Sequence, residues 1–220
     1  MNREEGYLKM LKTVIFDFDG TIVDSGRLVF DLFNEFADKY NYEKVPEHDI
    51  ELIRSLSVRD RFKRLNVPLV KVPLITMDVV KKYKESIPYL KVDEDIKGVI
   101  KELKNSGLQL ILISSNSKEN IQKFLRLNEI EYFDDILTVN RMFGRHITIN
   151  SFIKNVKIHK EEIIFVGDEH RDIEACQKTN VKIISVTWGY DLEPFLEKSN
   201  PDYIAKKPVD ILEIIKELRV

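Results

Sequence analysis

Cysteine is almost missing from this chain: Cys176 stands alone among 220 residues. No internal disulfide can form, so a packed core must hold the fold, and a reducing cytoplasm is the expected compartment. Long apolar runs are missing too, for none approaches the ~20 residues that span a bilayer. The opening Met1 to Lys12 is charged, unlike a secretory signal. Neither sign of charge dominates: 35 Lys and Arg face 37 Asp and Glu, a formal net charge of −2. Such a balance offers no electrostatic footprint for nucleic acid or for an anionic membrane. Glycine is scarce, and none of its 8 copies falls in Gly-x-Gly or a Walker-type loop, which disfavours a nucleotide-binding fold. His48, His146, His159 and His170 lack the paired spacing of a zinc site.

What is present is a core. Hydrophobic residues make up 43% of the chain, enough for one sizeable globular unit. Thr13-Val14-Ile15-Phe16-Asp17 is a short run of β-branched and aromatic type, the pattern of a strand buried on both faces of a parallel sheet. Similar runs follow at Leu108 to Ile113, Ile136 to Val139, Ile163 to Val166 and Ile183 to Thr187. Between them lie helical stripes. Ile96, Val99, Ile100 and Leu103 recur at helical spacing ahead of Gly107, Ile121 with Phe124 and Leu125 forms a second stripe, and Leu212 to Leu218 reads as a closing helix. Strands alternating with helices predict βαβ units, hence an α/β fold with a Rossmann-like parallel sheet.

The stretch from Ser25 to Tyr89 departs from that alternation. It holds no convincing strand. Val29, Leu32, Phe33, Phe36 and Tyr40 form a helical stripe with Ser25 near its N-cap, and further helices are expected at Asp49 to Leu56, Val58 to Leu65 and Thr76 to Ser86. So much helix between two strands exceeds any crossover and predicts an inserted all-α subdomain. The expected organisation is an α/β core over residues 1–24 and 90–220 with a helical cap over 25–89.

Chemistry gathers at the strand ends. Asp17-Phe18-Asp19-Gly20-Thr21 follows the first strand directly, where parallel sheets collect their ligands, and two carboxylates so close must share a cation or a proton. Gly167-Asp168 follows the fourth strand, and Asp172 lies one helical turn beyond. Oxygen ligands without His or Cys suit Mg²⁺ and leave positions for phosphate oxygens and water. Ser114-Ser115-Asn116, after the second strand, offers a hydroxyl and amides at a helix N-terminus, a phosphate cradle or an ordinary cap. Arg145, in Phe143-Gly144-Arg145-His146 ahead of the next helix, could balance phosphoryl charge or be a solvated surface cation.

Taken in this order, the motifs resemble the haloacid dehalogenase (HAD) superfamily, and the helical insertion resembles the cap of its phosphoglycolate-phosphatase-like and β-phosphoglucomutase-like branch. The resemblance runs from Leu11 to the C-terminal helix. It implies Asp17 as nucleophile forming an aspartyl-phosphate, Asp19 as general acid and then base, and Ser115 with Asn116, Gly20 and Thr21 around the phosphate. It also implies Mg²⁺ held by Asp17, the Asp19 backbone carbonyl, Asp168 and Asp172, with Arg145 as counter-cation. The family's basic motif is usually lysine, so Arg145 is a departure; Lys154 and Lys157 are alternatives further along. An aspartate two residues past the nucleophile argues for phosphate chemistry over dehalogenation.

The implied activity is a cytoplasmic Mg²⁺-dependent phosphatase for a small phosphorylated metabolite, with no nucleic-acid or membrane partner. A phosphosugar mutase and a degenerate, non-enzymatic binding member are the alternatives, and monomer and homodimer stay equally open. The basic segment Ser57 to Arg64 is a candidate contact for an anionic substrate or a solvated helix face. Trp188-Gly189-Tyr190 is expected to pack rather than to border the site.

Overall fold

The computed structural model describes residues 10–90, 92–139 and 144–219. The charged arm before Met10, and Phe143 of the Arg145 motif, lie outside these described residues. The strands are β1 Thr13–Phe16, β2 Gln109–Ser114, β3 Asp135–Thr138, β4 Ile163–Gly167, β5 Lys182–Val186 and β6 Tyr203–Ala205. They form one sheet in the order β3-β2-β1-β4-β5-β6, parallel at every pairing. The α/β class read from the sequence is therefore the observed one.

Both faces of the sheet are covered, which explains why β1 and β4 read as continuous apolar runs rather than alternating ones. In β1, Val14 and Phe16 join a core that includes Ile96, Val99, Ile100 and Leu103 of α6 (Glu94–Asn105). Phe124 of α7 (Lys118–Leu127) and Ile211 of α11 (Pro208–Glu217) join the same core. Ile15 points the other way, into a core with Ile149 of α8 (Arg145–Val156), Ile173 of α9 (His170–Thr179) and Leu196 of α10 (Glu193–Lys198). Cys176 is a buried member of that second core, a packing role.

β6 is the element the sequence hides. It has three residues, fewer than any apolar run can signal, and its partnership with Ile184 to Val186 of β5 makes it a strand.

Between β1 and α6 the described α-helices are α1 Gly26–Glu35, α2 Ala37–Tyr40, α3 Ile50–Arg54, α4 Val58–Arg64 and α5 Val72–Ser86. The stripe read as one helix from Val29 to Tyr40 is interrupted at Phe36 and ends at Asn41, whose φ of 59° is left-handed. α5 begins four residues earlier than the sequence suggests. Pro73 accounts for this: in the first turn its missing N–H would have had no partner, so proline opens the helix rather than breaking it. These helices keep a core of their own around Tyr40, Tyr42, Ile53, Leu65 and Ile75. Among the described residues no helix is long and apolar enough to cross a membrane.

Candidate active site

The strand order reverses around β1, whose two neighbours are β2 and β4, and a crevice opens at the carboxyl ends there. The first carboxylate stands at that point. The Asp17 amide donates to the Val166 carbonyl at 2.9 Å, extending the β1–β4 ladder by one residue and fixing the Asp17 side chain over the crevice. Asp168 follows β4, and Asp172 lies in the first turn of α9. All three are buried, and one carboxylate oxygen from each lies within 4.8 Å of the others.

Asp168 is held tightly. Thr21 Oγ1 donates to its Oδ1 at 2.8 Å, and the Tyr190 amide donates to its Oδ2 at 2.7 Å. The backbone comes so close that a Cβ at Gly20, whose φ is +80°, would sit 2.1 Å from Asp168 Oδ2. The Gly in the Asp17 motif is thus needed twice, for its left-handed backbone and for the room it leaves.

Arg145 is the counter-charge. It opens α8 rather than preceding it, and it is buried. Its guanidinium pairs with Asp172 and lies 3.1 Å from Asp17 Oδ1, while its flat face sits 5.6 Å from the Phe165 ring centroid. A planar fork reaching two carboxylates at once is arginine's geometry, not lysine's. Lys154 and Lys157 are exposed at the far end of α8.

The three acids resist ionisation. Burial pushes the Asp17 carboxyl up to about 7, with Arg145 opposing and Asp172 adding to the rise. Asp168 is pushed well above the carboxylate range by burial and by the neighbouring Glu169, Asp17 and Asp172. Asp172 is raised by burial against the pull of Arg145. Arg145 keeps its proton more firmly than usual, because Asp17 and Asp172 outweigh the cost of its burial.

Asp19 lives in a separate setting. Its Oδ1 accepts from Tyr83 Oη at 2.5 Å and from Ser25 Oγ at 3.0 Å, and its Oδ2 accepts from Asn116 Nδ2 at 3.1 Å. Enclosure raises its pKa, and these three donors hold it down. The two aspartates of one motif are thereby split: Asp17 joins the buried triad and Asp19 faces a ring of donors.

The phosphate-cradle residues need one correction. The N-cap of α7 is Ser117, whose Oγ accepts from the Asn120 amide, not Ser115 or Asn116. The Asn116 side chain instead joins Asp19 to the helix start, since Asn120 Nδ2 donates to its Oδ1 at 3.0 Å. Ser115 lines the cavity in front of Asp19.

Three further side chains escaped the sequence reading. Ser25 is the N-cap of α1 but makes no capping bond; its hydroxyl goes to Asp19 and lies 3.1 Å from the Tyr190 hydroxyl. Tyr83 reaches Asp19 from α5, some 64 residues along the chain. The expectation that Trp188-Gly189-Tyr190 merely packs is overturned. Its backbone seats Asp168, a Cβ at Gly189 would come within 2.2 Å of that residue, and Tyr190 faces Ser25. Of the three, only Tyr190 closely follows a strand end; Tyr83 sits within α5, far from any strand in sequence, and tyrosine has no motif here.

The acidic triad fits a divalent cation on its own chemistry. Its donors are all carboxylate oxygens, and among the described residues Asp17 Oδ1 is a buried acceptor with no hydrogen-bond donor, since Arg145 approaches it without alignment.

Fold and site define a class, an α/β protein with a buried acidic centre at the switch point of a parallel sheet. The family model for haloacid dehalogenase-like hydrolases matches residues 14–186, and the chain belongs to that family. It is similar to a phosphoglycolate phosphatase of Synechococcus elongatus, 26% identical over 209 residues, covering 94% of this chain and 99% of that one. It is also similar to the pyrophosphatase PpaX of Bacillus mycoides, 23% identical over 214 residues, covering 94% and 98%. In structure it resembles a haloacid dehalogenase-like hydrolase from Streptococcus pneumoniae, with a TM-score of 0.78, 23% identity, and coverage of 93% and 98%.

Proposed function

We propose that this protein is a Mg²⁺-dependent phosphatase that hydrolyses a small phosphomonoester through an aspartyl-phosphate on Asp17. The observation that carries it is the division of the first motif, with Asp17 in the triad beside Arg145 and Asp19 in its own cradle of donors. Phosphate-transfer names among relatives that align over 94% of the chain support the same reaction class.

In the first half-reaction an Asp17 carboxylate oxygen attacks phosphorus and the bond to the leaving oxygen breaks. Asp19, protonated, gives its proton to that oxygen, releasing the alcohol. In the second, a water attacks the phosphorus while Asp19 takes its proton. The Asp17–phosphorus bond breaks, inorganic phosphate leaves, and both aspartates return to their starting states. Asp19 must donate and then accept, which suits a carboxyl raised by enclosure but held within reach of ionisation by Tyr83, Asn116 and Ser25. Arg145 offsets charge at the attacking side, and Ser115 with the Asn116 amide and the Gly20–Thr21 turn surrounds the phosphate. Asp17, the Asp19 carbonyl, Asp168 and Asp172 would hold Mg²⁺, which supplies charge neutralisation for the phosphoryl oxygens when bound.

We assign the helical layer, residues 25–89, the role of a cap on the core of 1–24 and 90–220. Tyr83 touching Asp19 is the contact that makes the two parts work together. The near-neutral charge and lone buried cysteine support a cytoplasmic enzyme acting on a small metabolite.

The test is hydrolysis of p-nitrophenyl phosphate with and without Mg²⁺. Wild type should turn over only with the metal, and Asp17→Asn should lose more than ~10³-fold in kcat. Asp19→Asn should lose ~10²–10⁴-fold while binding Mg²⁺ as wild type does. Full metal-dependent activity in Asp17→Asn would sink the proposal.

A further inference from the structure

Beyond the phosphate site, the helical layer and the carboxyl end of the sheet border a half-open cavity of about 290 Å³, at the low end of the ~300–1,000 Å³ typical of small-molecule sites. Its floor is polar, with Asp19, Ser115 and Asn116. Its walls include Val29, Phe33, Val58, Phe62, Leu65 and Val79. Phe33, Phe62 and Val79 are only half-buried although they pack on the cap's core, so each keeps apolar surface to offer the cavity.

The charge inventory is as telling as the walls. Among the described residues, the cations lining this cavity are Arg61 and Arg171. Arg61 is paired with Asp191, and its Nε donates to the carbonyls of Ile53 and Leu56, both at 2.9 Å. Arg171 Nε donates to Glu169 Oε2 at 2.6 Å. Each positive charge is therefore matched to a carboxylate within the protein. A second anionic group on the substrate would enter a half-open, largely apolar space already lined by Asp19 and Glu169, where among the described residues both cations have a carboxylate partner.

An adjoining space of about 680 Å³ carries Arg145, His146, Arg171 and Lys178, but Asp19 does not line it. The leaving oxygen must face the general acid, so the alcohol portion belongs in the Asp19 cavity.

We infer that the natural substrate is the phosphomonoester of a compact apolar alcohol, aliphatic or aromatic, and not of one bearing a carboxylate or second phosphate. This rests on the phosphatase reading above and narrows it. It also separates this chain from relatives named for phosphoglycolate and pyrophosphate, both of which carry a second anionic group.

The experiment compares kcat/KM for benzyl phosphate and 2-phosphoglycolate, both of which leave as primary alkoxides and so are matched in intrinsic reactivity. Benzyl phosphate should be favoured at least ~10-fold. A preference for 2-phosphoglycolate or for pyrophosphate overturns the inference. Val58→Arg, at an exposed position on the cavity wall, should shift the ratio ~10-fold toward 2-phosphoglycolate; an unchanged ratio counts against the cavity as the specificity site. Calorimetry on wild type with Mg²⁺ separates the two levels of the argument. If neither ester is hydrolysed, the phosphatase reading falls, and binding still decides the cavity. Tighter binding of 2-phenylethylphosphonate than of 3-phosphonopropionate supports it, and the reverse order overturns it.

Discussion

Asp17 and Asp19 are two residues apart and chemically unlike, and the difference is set by neighbours rather than by residue type. Asp17 is pushed up by burial and acidic company, with Arg145 pulling the other way. Asp19 is raised by enclosure and pulled back first by Tyr83. A hydrogen bond to a charged group contributes about 1.5–3 kcal/mol, so Tyr83→Phe should lower kcat ~10-fold or more. The Tyr83 hydroxyl favours the ionised carboxylate, and its removal raises the Asp19 pKa. The acid form then persists to higher pH, and the descending limb of the kcat–pH profile should move upward. An unmoved limb would mean that Tyr83 only packs. Asp17, Asp168 and Asp172 were legible in the sequence because each directly follows or closely trails a strand, where chain order alone places a side chain at the crevice. Tyr83, Ser25 and Tyr190 were not, because their roles depend on how the helical layer docks, and docking leaves no short-range pattern.

At the scale of elements, the loop between β5 and α10 does two jobs. The Tyr190 amide seats Asp168, while the same loop is gripped by the helical layer: Arg54 Nε donates to the Tyr190 carbonyl at 3.0 Å and its Nη2 to the Gly189 carbonyl at 2.7 Å. Arg61 pairs with Asp191 beside them. Asp191 is pushed up to about 6 by burial, which outweighs Arg61. Its folded pKa thus lies above the ordinary 3.8, so the folded state holds the proton more firmly. That contribution to stability is full below about 3.8 and is lost as pH rises through about 6. Thermal melts of wild type and Asp191→Asn should therefore differ in a pH-dependent way, the balance tilting toward the variant between pH 4 and 7. A constant difference would place the carboxyl at its ordinary value. The basic segment Ser57 to Arg64 looked available for an anionic substrate in sequence; in the structure Arg61, the cation it contributes to the Asp19 cavity, is spent on this clasp.

Over the whole molecule, the sheet has one core on each face and the helical layer keeps a third. The strand pattern made the first two legible, since β-branched runs buried on both sides admit few other arrangements; β6 was too short to see, and α5 needed the position of Pro73 within a turn. Although Leu32 of α1 and Tyr83 of α5 also join the first core, a third core of the layer's own predicts loosening of its own. Ile53 is 2% exposed at its centre, and Ile53→Ala should cost about 2–4 kcal/mol. Hydrogen exchange should rise across 26–89 and leave β1, β2 and β4 protected. Uniform deprotection would show instead that helical layer and sheet unfold as one. The shared loop sets a rule for anyone recombining such parts. The helical layer is not an interchangeable cassette bounded by residues 25 and 89: Arg54 is fitted to the backbone and Arg61 to the Asp191 side chain of the 187–192 loop, and that loop is fitted to Asp168. A chimera that brings in a foreign helical layer must import the matching loop with it, or the exchange will disturb the acidic centre it was meant to leave untouched.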